Sequence, residues 1–442
     1  MTPRLSLETL ARLPADVRRP DYDFRRLGLG IVHLGLGAFH RAHQAVFTED
    51  AIIAGGGDWG ILGASLRHAA APEALAAQDH LYTVESLAST AGYGVVAAIR
   101  ASLCAPLDRA SLQRALISAQ THIVTLTITE KGYCLGADGA LDFARPEIAG
   151  DLKNPEEPNS AIGWIAQALA ARAAQHGRPI TVISCDNLQA NGARLGAAVT
   201  AFAERSRPDM LSWMKGNVAY PRTVVDCIVP AATDLTRARV ARALGLEDRA
   251  CVQRETFSQW VIENRFAGPR PAWDRVGVQI VDNVEAHGRL KLHVLNACHS
   301  ALAYLGLPRG YTFVREAVAD AGLAQFLDEL VSTEIAPALD PLPVLDYWRT
   351  VRARFENPQI DHRLSQIAED GSAKLAERIF PLMTANARAG APVRLLSRVV
   401  RGWLESVYGT AHVRGAFDDA APIPASIRGN AALRAAVLEG VA

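Results

Sequence analysis

Ile31-Val-His-Leu-Gly-Leu-Gly-Ala-Phe-His40 is the stretch of sequence that decides the fold of this chain. Its apolar run over residues 31–36 leads into Gly35 and Gly37, and the apolar residues of 38–54 then recur at helical spacing. The sequence therefore predicts a strand, a glycine turn and a helix in that order.

Such a turn is suited to binding a dinucleotide. The first glycine permits a tight turn, and the second lets a pyrophosphate approach the backbone amides at the start of the helix. The third glycine of the usual fingerprint is replaced by His40, so a purely structural turn explains the same residues. The expected cofactor contacts in this turn are Gly35, Gly37, Ala38 and Phe39.

The end of the second predicted strand bears on the choice of cofactor. NAD-binding domains usually have an acid there for the ribose hydroxyls, but the run over residues 61–66 ends in Arg67. Asp58 lies at the other end of that strand. Arg67 suits either a contact with the 2′-phosphate of NADP or a position beside the adenine. We expect NAD as the cofactor, although this rule does not separate it from NADP.

Strand and helix patterns alternate through the first part of the chain. Further β-rich apolar runs occupy residues 61–66, 122–128 and 180–184, with a helical pattern over 107–117 between two of them. This alternation is typical of an α/β domain with a parallel sheet.

The pattern changes after Gly268-Pro-Arg-Pro271, where long helical segments follow. They cover residues 290–305, 323–335 and 387–408. We therefore place a domain boundary near residue 280. The expected organisation is a dinucleotide-binding α/β domain over residues 1–280 and a mainly α-helical substrate and catalytic domain over residues 281–442.

Composition narrows the range of partners. Lysine plus arginine and aspartate plus glutamate number 46 each, which gives no electrostatic argument for nucleic acid or an anionic membrane. Six cysteines lack the spacing of a zinc site, and no apolar run has the length of a membrane span. We expect a cytoplasmic enzyme, monomeric or homodimeric, that binds a small molecule and no metal.

The residues best suited to catalysis lie in Lys291-Leu-His-Val-Leu-Asn-Ala-Cys-His-Ser300. On an α-helix, with about 100° per residue, Lys291, Asn296 and His299 fall within an arc of roughly 140°. Alcohol dehydrogenation needs a base for the hydroxyl proton and donors for the developing alkoxide, which lysine and asparagine supply. A solvent-exposed lysine and a core histidine would explain the same helix face without catalysis.

A second polar cluster, Ser184-Cys-Asp-Asn187, directly follows the predicted strand 180–184. The carboxyl ends of the strands are where α/β sheets bind ligands, so Asp186 and Asn187 are expected to face the ligand crevice. An Asx turn before a helix is the alternative interpretation.

Together these motifs resemble the mannitol dehydrogenase family, the polyol-specific long-chain dehydrogenases and reductases. The resemblance covers nearly the whole chain. Its ordered blocks are Gly35-Leu-Gly-Ala-Phe-His-Arg-Ala-His-Gln44, Leu126-Thr-Ile-Thr-Glu-Lys-Gly-Tyr133, Ser184-Cys-Asp-Asn187, Val225-Asp226 with Ile228-Val-Pro230, Lys291 to Ser300, and Asp370-Gly-Ser-Ala-Lys374. It implies a Rossmann-type N-terminal domain, a mainly helical C-terminal domain and a metal-independent reaction.

The resemblance also implies roles for single residues. Lys291 corresponds to the general base, Asn187 and Asn296 to the pair that holds the reacting oxygen, and His299 to the residue that orients the substrate. Glu130 corresponds to an acid that passes the proton to solvent, and Asp226 to one beside the nicotinamide. The family's acid before the lysine and its arginine after Val225-Asp226 are absent, since Gly288 and Cys227 stand there, so proton exit would depend more on Glu130.

Within the family, the segment from His362 to Arg378 resembles fructuronate reductases more than mannitol enzymes. Lys374 and Arg378 could pair with a uronate carboxylate, whereas a solvated helix face is the alternative. The predicted reaction is the interconversion of D-fructuronate and D-mannonate, with mannitol and fructose as the second candidate pair. Two other classes are a non-catalytic dinucleotide sensor and a dehydrogenase of the 6-phosphogluconate type.

Overall fold

The structure, a computed structural model, describes residues 2–88, 90–409, 413 and 423–439, which fall into two compact units, Met1–Val284 and Glu285–Ala442. The strands of the first unit are β1 Leu29–Leu34, β2 Gly60–Ser65, β3 Tyr82–Leu87, β4 Gly92–Val96, β5 Ile99–Cys104, β6 Ile123–Leu126, β7 Ile180–Ser184, β8 Val218–Ala219, β9 Thr223–Asp226, β10 Val252–Glu255, β11 Gln259–Glu263 and β12 Gln279–Val281. Its α-helices are α1 Ala38–Ala42, α2 Gln44–Gly55, α3 Ala70–Ala76, α4 Arg109–Ile117, α5 Pro146–Lys153, α6 Ala161–Gln175, α7 Asn191–Ser206, α8 Leu211–Asn217 and α9 Asp234–Leu244.

The main sheet of the first unit is parallel and has the strand order β5-β2-β1-β6-β7-β8. The order reverses between β1 and β6, so their carboxyl ends flank the position where such sheets bind ligands. Two three-stranded sheets, β10-β3-β4 and β12-β11-β9, complete the described strands of this unit. The predicted α/β class with a parallel sheet is confirmed.

The strand β1 is buried on both faces because helices cover both sides of the sheet. Val32 and Leu34 pack in one core with residues of α4, α6 and α7, while Ile31 packs in a second core with Val46 and Phe47 of α2. A strand buried in this way has little freedom to shift, so the turn that follows β1 is held firmly in place.

The second unit is helical in its described part. Its α-helices are α10 Glu285–Leu290, α11 Ala297–Gly306, α12 Val314–Ala319, α13 Ala321–Leu330, α14 Ala336–Leu339, α15 Val344–Phe355, α16 Leu364–Ala368, α17 Gly371–Arg378, α18 Phe380–Ala389, α19 Arg394–Tyr408, α20 Ala425–Arg428 and α21 Ala431–Leu438. Two π-helical segments, Lys291–Asn296 and Val331–Ile335, interrupt this series. One hydrophobic core joins the helices, with Leu302, Leu330 and Val400 fully buried.

Two of the predicted helices are interrupted in the structure. The helix expected over 38–54 breaks at His43, whose ring Nε2 contacts the backbone oxygen of Gln259 at 2.9 Å. The helix expected over 387–408 breaks because Gly390 adopts φ +67° and the following residues up to Val393 are not helical. In the first case a tertiary contact determines the local backbone, which helical periodicity does not report.

Glu334 is a buried carboxylate that holds two elements of the second unit together. It lies in the π-helical segment Val331–Ile335 and accepts hydrogen bonds from the backbone amides of Leu395 and Leu396, both at 2.8 Å. These amides belong to the first turn of α19, where backbone donors have no partner within the helix. Glu334 therefore acts as an N-terminal cap supplied from another helix.

We predict that Glu334→Ala lowers the free energy of unfolding by about 2–3 kcal/mol, because two buried amide donors lose their acceptor. Urea denaturation followed by circular dichroism measures the change. The control is Glu329→Ala, which removes an exposed glutamate of α13 and should change stability by no more than about 0.5 kcal/mol. Equal effects of the two substitutions would contradict the capping role.

Candidate active site

The glycine turn after β1 leaves no space for a side chain at Gly35. Gly35 has φ +98°, and a Cβ atom there would lie 2.1 Å from the carbonyl oxygen of Thr127. The Gly35 amide donates to Ala64 O at 2.8 Å, which ties the turn to the end of β2. Gly35 is therefore required by the fold itself.

Gly37 has a different environment. It is exposed, it has an ordinary φ of −99°, and the nearest atom to a Cβ built there is the oxygen of Gly35 at 3.7 Å. The protein therefore does not need a glycine here for its own packing. The open space in front of the backbone is what a pyrophosphate needs for close approach. Ala38 and Phe39 follow as the half-buried first residues of α1.

Two stacked histidines lie beneath this turn. The rings of His33 and His40 are 3.4 Å apart and nearly parallel, and both side chains are buried. His33 contacts Thr125 Oγ1 at 2.8 Å, Thr127 Oγ1 at 2.9 Å and the Gly35 oxygen at 3.1 Å. Burial lowers the pKa of His33 to about 3 and also depresses the pKa of His40. Both rings are therefore neutral and fix the geometry of the turn without adding charge.

Two further residues expected at the cofactor lie elsewhere in the first unit. Arg67 is exposed, two residues beyond the carboxyl end of β2. Asp226 is buried at the end of β9 and pairs with Gln259 of β11, in a three-stranded sheet separate from the main one. The position of Arg67 is compatible with the adenine end of a dinucleotide, because the second strand of such domains ends there.

Asp186 connects the loops that carry Glu130 and Asn187. Its carboxylate accepts hydrogen bonds from the amides of Ile128 and Thr129, each at 2.9 Å, and from the Tyr133 hydroxyl at 2.7 Å. Because β6 and β7 are adjacent parallel strands, the residues that follow them lie at the same edge of the sheet. The first unit thus brings the exposed residues Glu130 and Asn187 to the carboxyl edge where the glycine turn also lies.

The backbone immediately before Glu130 is strained. Thr129 has φ +64°, a conformation that is rare for a β-branched residue. The hydrogen bond from its amide to Asp186 holds it there. Strain of this kind persists only where surrounding contacts enforce it, and it is common near functional groups. The observation supports a defined position for Glu130, the first residue of the 3₁₀ helix Glu130–Tyr133.

In the second unit, Lys291, Asn296 and His299 lie on one continuous helical stretch. The prediction of a regular α-helix was wrong here, because Lys291–Asn296 is π-helical and only α11 beyond it is α-helical. Hydrogen bonding from i to i+5 widens the turn and brings residues five apart nearly into line. Lys291 and Asn296 are therefore closer to one face than regular α-helical geometry gives.

His299 is buried among aromatic and cationic groups. Its ring lies 4.4 Å from the Phe355 ring and 4.9 Å from the His362 ring. Burial holds the pKa of His299 well below its ordinary value, and the neighbouring His362 and the positive charges of Arg354, Arg378 and Lys291 depress it further. His299 is therefore a neutral imidazole that can donate or accept one hydrogen bond.

Arg378 lies against the same helical stretch. Its guanidinium donates to the Ser300 hydroxyl at 3.1 Å and to the Asn296 backbone oxygen at 3.4 Å. Lys374, one turn earlier on α17, donates to Ile367 O at 3.2 Å. Of Lys374 and Arg378, the structure thus places Arg378 next to the predicted catalytic residue Asn296. The spacing of these residues in the sequence did not require this contact.

The sequence motifs predict only part of what surrounds these sites. Asp186 had been assigned to the crevice but not to the bracing of a neighbouring loop. Arg354 belongs to no motif, and His362 enters only as the first residue of the segment that resembles fructuronate reductases, because their positions near His299 depend on how α15 and the segment before α16 pack against α11. His40 had a visible signal, since it replaces a glycine of the fingerprint.

The described residues offer neither a metal site nor a membrane-spanning helix. Within those residues, no group of three or more histidine, cysteine, aspartate or glutamate side chains could hold a metal ion. No helix in the same part of the chain combines the length and apolar character that a membrane crossing needs. The six cysteines are free thiols.

Comparisons with known proteins agree along most of the chain. Residues 29–275 match the model of the mannitol dehydrogenase Rossmann domain, and residues 283–436 match that of the mannitol dehydrogenase C-terminal domain. The D-mannonate oxidoreductase of Escherichia coli is 39% identical over 93% of this chain and 87% of its own length. A mannitol 2-dehydrogenase of Phaeosphaeria nodorum is 36% identical over 92% of this chain and 74% of its own.

A solved structure is also similar to this chain over nearly its whole length. The mannitol 2-dehydrogenase of Pseudomonas fluorescens, in a ternary complex with NAD and D-mannitol, superposes with a TM-score of 0.88 at 32% identity. The match covers 98% of this chain and 95% of that chain. The Rossmann-type domain followed by a helical domain, predicted from the sequence, is therefore confirmed.

We predict that Gly37→Val abolishes dinucleotide binding and leaves the fold intact, because the new side chain fills the open space needed by the pyrophosphate and meets no tight protein contact at its Cβ. Titration of NADH fluorescence measures affinity, and circular dichroism reports the fold. The control is Gly268→Val, a loop position of the same unit where a Cβ meets nothing within 4 Å. Wild-type NADH affinity in folded Gly37→Val would contradict the assignment of the turn.

Proposed function

The chain belongs to the mannitol dehydrogenase family, and we propose that it transfers hydride between NAD(H) and a sugar acid, interconverting D-mannonate and D-fructuronate. The family makes it an oxidoreductase that acts on CH–OH groups. The observation that carries the choice of an acid is the contact of Arg378 with Asn296 and Ser300. A guanidinium beside the helix proposed to bind substrate favours a carboxylate over a neutral polyol.

In the oxidative direction, Lys291 would act as the general base. Its neutral amine takes the proton of the substrate hydroxyl while the C–H bond beside it breaks and a ketone forms. Only the neutral amine can accept this proton, so oxidation requires the deprotonated lysine. In the reductive direction the same group donates the proton as an ammonium.

Asn187 and Asn296 would stabilise the developing alkoxide with their amide N–H groups. His299, held neutral by its surroundings, would orient the reacting hydroxyl through one hydrogen bond. Glu130 would then pass the proton between Lys291 and solvent. Burial of Asn296 and His299 supports these assignments, because donors shielded from water act more strongly on a charge that develops beside them.

The cofactor proposed is NAD. The turn at Gly35 and Gly37 would receive its pyrophosphate, Ala38 and Phe39 would follow at the start of α1, Arg67 would lie towards its adenine end, and Asp226 would lie beside the nicotinamide. When bound, the nicotinamide supplies the hydride acceptor in oxidation and the hydride donor in reduction.

Mannitol and fructose are the second candidate pair, because mannitol 2-dehydrogenases are also among the similar proteins. A substrate panel followed by NADH and NADPH absorbance separates the candidates. The proposal expects a higher kcat/KM for D-fructuronate than for D-fructose. A preference for fructose would replace it with the mannitol assignment.

We predict that Lys291→Ala lowers kcat for oxidation by about 10³-fold, because general acid–base catalysis contributes about 10²- to 10⁴-fold, while NADH affinity stays near wild type. The wild-type rate of oxidation should rise with pH, since only the neutral amine accepts a proton. Initial rates across pH test both statements. Added primary amines should partly restore oxidation in the alanine variant.

The matched control for this test is Lys153→Ala, which removes an exposed lysine of α5 and should leave kcat unchanged. Wild-type oxidation in Lys291→Ala without added amine would refute the assignment of the base. If only Asn187 and Asn296 variants lost activity, oxyanion stabilisation would stand and the base would have to be sought at Glu130 or His299.

We predict that Lys374→Met weakens kcat/KM for D-fructuronate about tenfold more than for D-fructose, because only the acid loses a charge-assisted contact. Steady-state kinetics with both substrates on the same preparation give the ratio. Lys215→Met, which changes an exposed lysine of α8, is the control and should leave that ratio unchanged. Equal losses for both substrates would remove Lys374 from the recognition of acids.

A further inference from the structure

His299 and His362 form a pair of imidazoles with unused hydrogen-bonding nitrogens. Their ring centroids are 4.9 Å apart and the rings are nearly perpendicular. Within the described residues, His299 Nε2 and His362 Nδ1 are both buried and neither has a hydrogen-bond partner. Buried polar atoms in native proteins are rarely left in this state, so each such atom requires an explanation. A bound ligand with two acceptor groups would explain both atoms, because it would supply a hydrogen-bond partner to each of them.

The backbone around His362 is held in a defined position. The carbonyl of His362 accepts the amide of Val314 at 3.0 Å, and the Leu364 amide donates to Thr312 O at 3.0 Å. These bonds join the segment before α16 to the segment before α12. The backbone at and just after His362 is thus held in place, which limits where its side chain can lie, as a recognition group requires.

The surroundings of the pair favour a negative ligand. Burial lowers the pKa of His362, and the positive charges of Arg354 and Lys374 lower it further. Arg354 is itself buried, at 6% exposure, and also lies close enough to depress the pKa of His299. Positive charges that surround neutral imidazoles repel additional protons and attract an anion. An imidazole that stays neutral still offers one N–H to a carboxylate oxygen.

The two ring centroids are 4.9 Å apart, close enough for both rings to contact one six-carbon keto acid. In D-fructuronate the reacting C5 and the carboxylate carbon C1 are four bonds apart, which spans about 5 Å in an extended chain at the reach per bond of a polypeptide backbone. His299 at the reacting end would therefore leave His362 at the acid end. Phe355, whose ring is 4.4 Å from His299, provides an apolar surface beside the carbon chain.

We propose that His362 recognises the substrate carboxylate, donating its Nδ1–H to a carboxylate oxygen while His299 contacts the reacting oxygen. Arg354 and Lys374 supply the compensating positive charge. This inference rests on the proposed function, since it requires that the substrate be a sugar acid. It assigns selectivity for acids to a residue outside the set Lys291, Asn296 and His299.

The test compares three forms of the full-length enzyme with D-fructuronate and D-fructose at saturating NADH. His362→Phe keeps a planar ring and removes both nitrogens, so kcat/KM for D-fructuronate should fall about 10- to 100-fold, the effect of losing a charge-assisted hydrogen bond. The loss with D-fructose should be no more than about threefold. His362→Asn places an amide N–H near the position of Nδ1 and should recover most of the activity with D-fructuronate.

The outcomes separate this inference from the proposed function. A wild-type enzyme that prefers D-fructose overturns the proposed function, and the carboxylate role of His362 with it. A wild-type preference for D-fructuronate combined with equal losses for both substrates in His362→Phe overturns the role of His362 alone. Failure of folded His362→Asn to restore activity with the acid, at wild-type NADH affinity, would also contradict donation from Nδ1.

Discussion

The close approach of Gly35 to Thr127 is the constraint on which the first unit depends. A Cβ at Gly35 would lie 2.1 Å from the Thr127 carbonyl oxygen, so the ends of β1 and β6 can meet only where a side chain is absent. His33 contacts the Gly35 oxygen and both threonine hydroxyls on β6 and beyond it. The Asp186 carboxylate accepts hydrogen bonds from two backbone amides of the loop after β6, which fixes that loop as well. The position of Glu130 and Asn187 follows from this chain of contacts.

The sequence was sufficient for the fold class because glycine turns and hydrophobic periodicity are local signals. It was insufficient where distant contacts decide the backbone. His43 ends α1 while its side chain contacts the oxygen of Gln259, 216 residues further along the chain. The π-helical turn Lys291–Asn296 leaves no mark in apolar spacing. The proximity of His362 to His299 can be recognised only when the packing of α11 against the segment before α16 is known.

Neutral buried histidines occur in both units for the same physical reason. Burial penalises the charged form of His33, His40 and His299, so each remains an uncharged ring. In the first unit this shapes a turn that the proposal assigns to an anionic cofactor. In the second it gives a group that can orient a hydroxyl without competing with Lys291 for its proton.

Arg378 both supports the backbone of the proposed catalytic helix and places a positive charge beside it. A π-helical turn disturbs the regular pairing of backbone carbonyls, and an unpaired buried carbonyl is costly. The Asn296 carbonyl accepts hydrogen bonds from the Ser300 hydroxyl and from Arg378. The guanidinium therefore contributes to the local backbone as well as to the electrostatic environment. Because one group serves both purposes, replacing Arg378 would alter the geometry around Asn296 as well as the charge beside the proposed substrate.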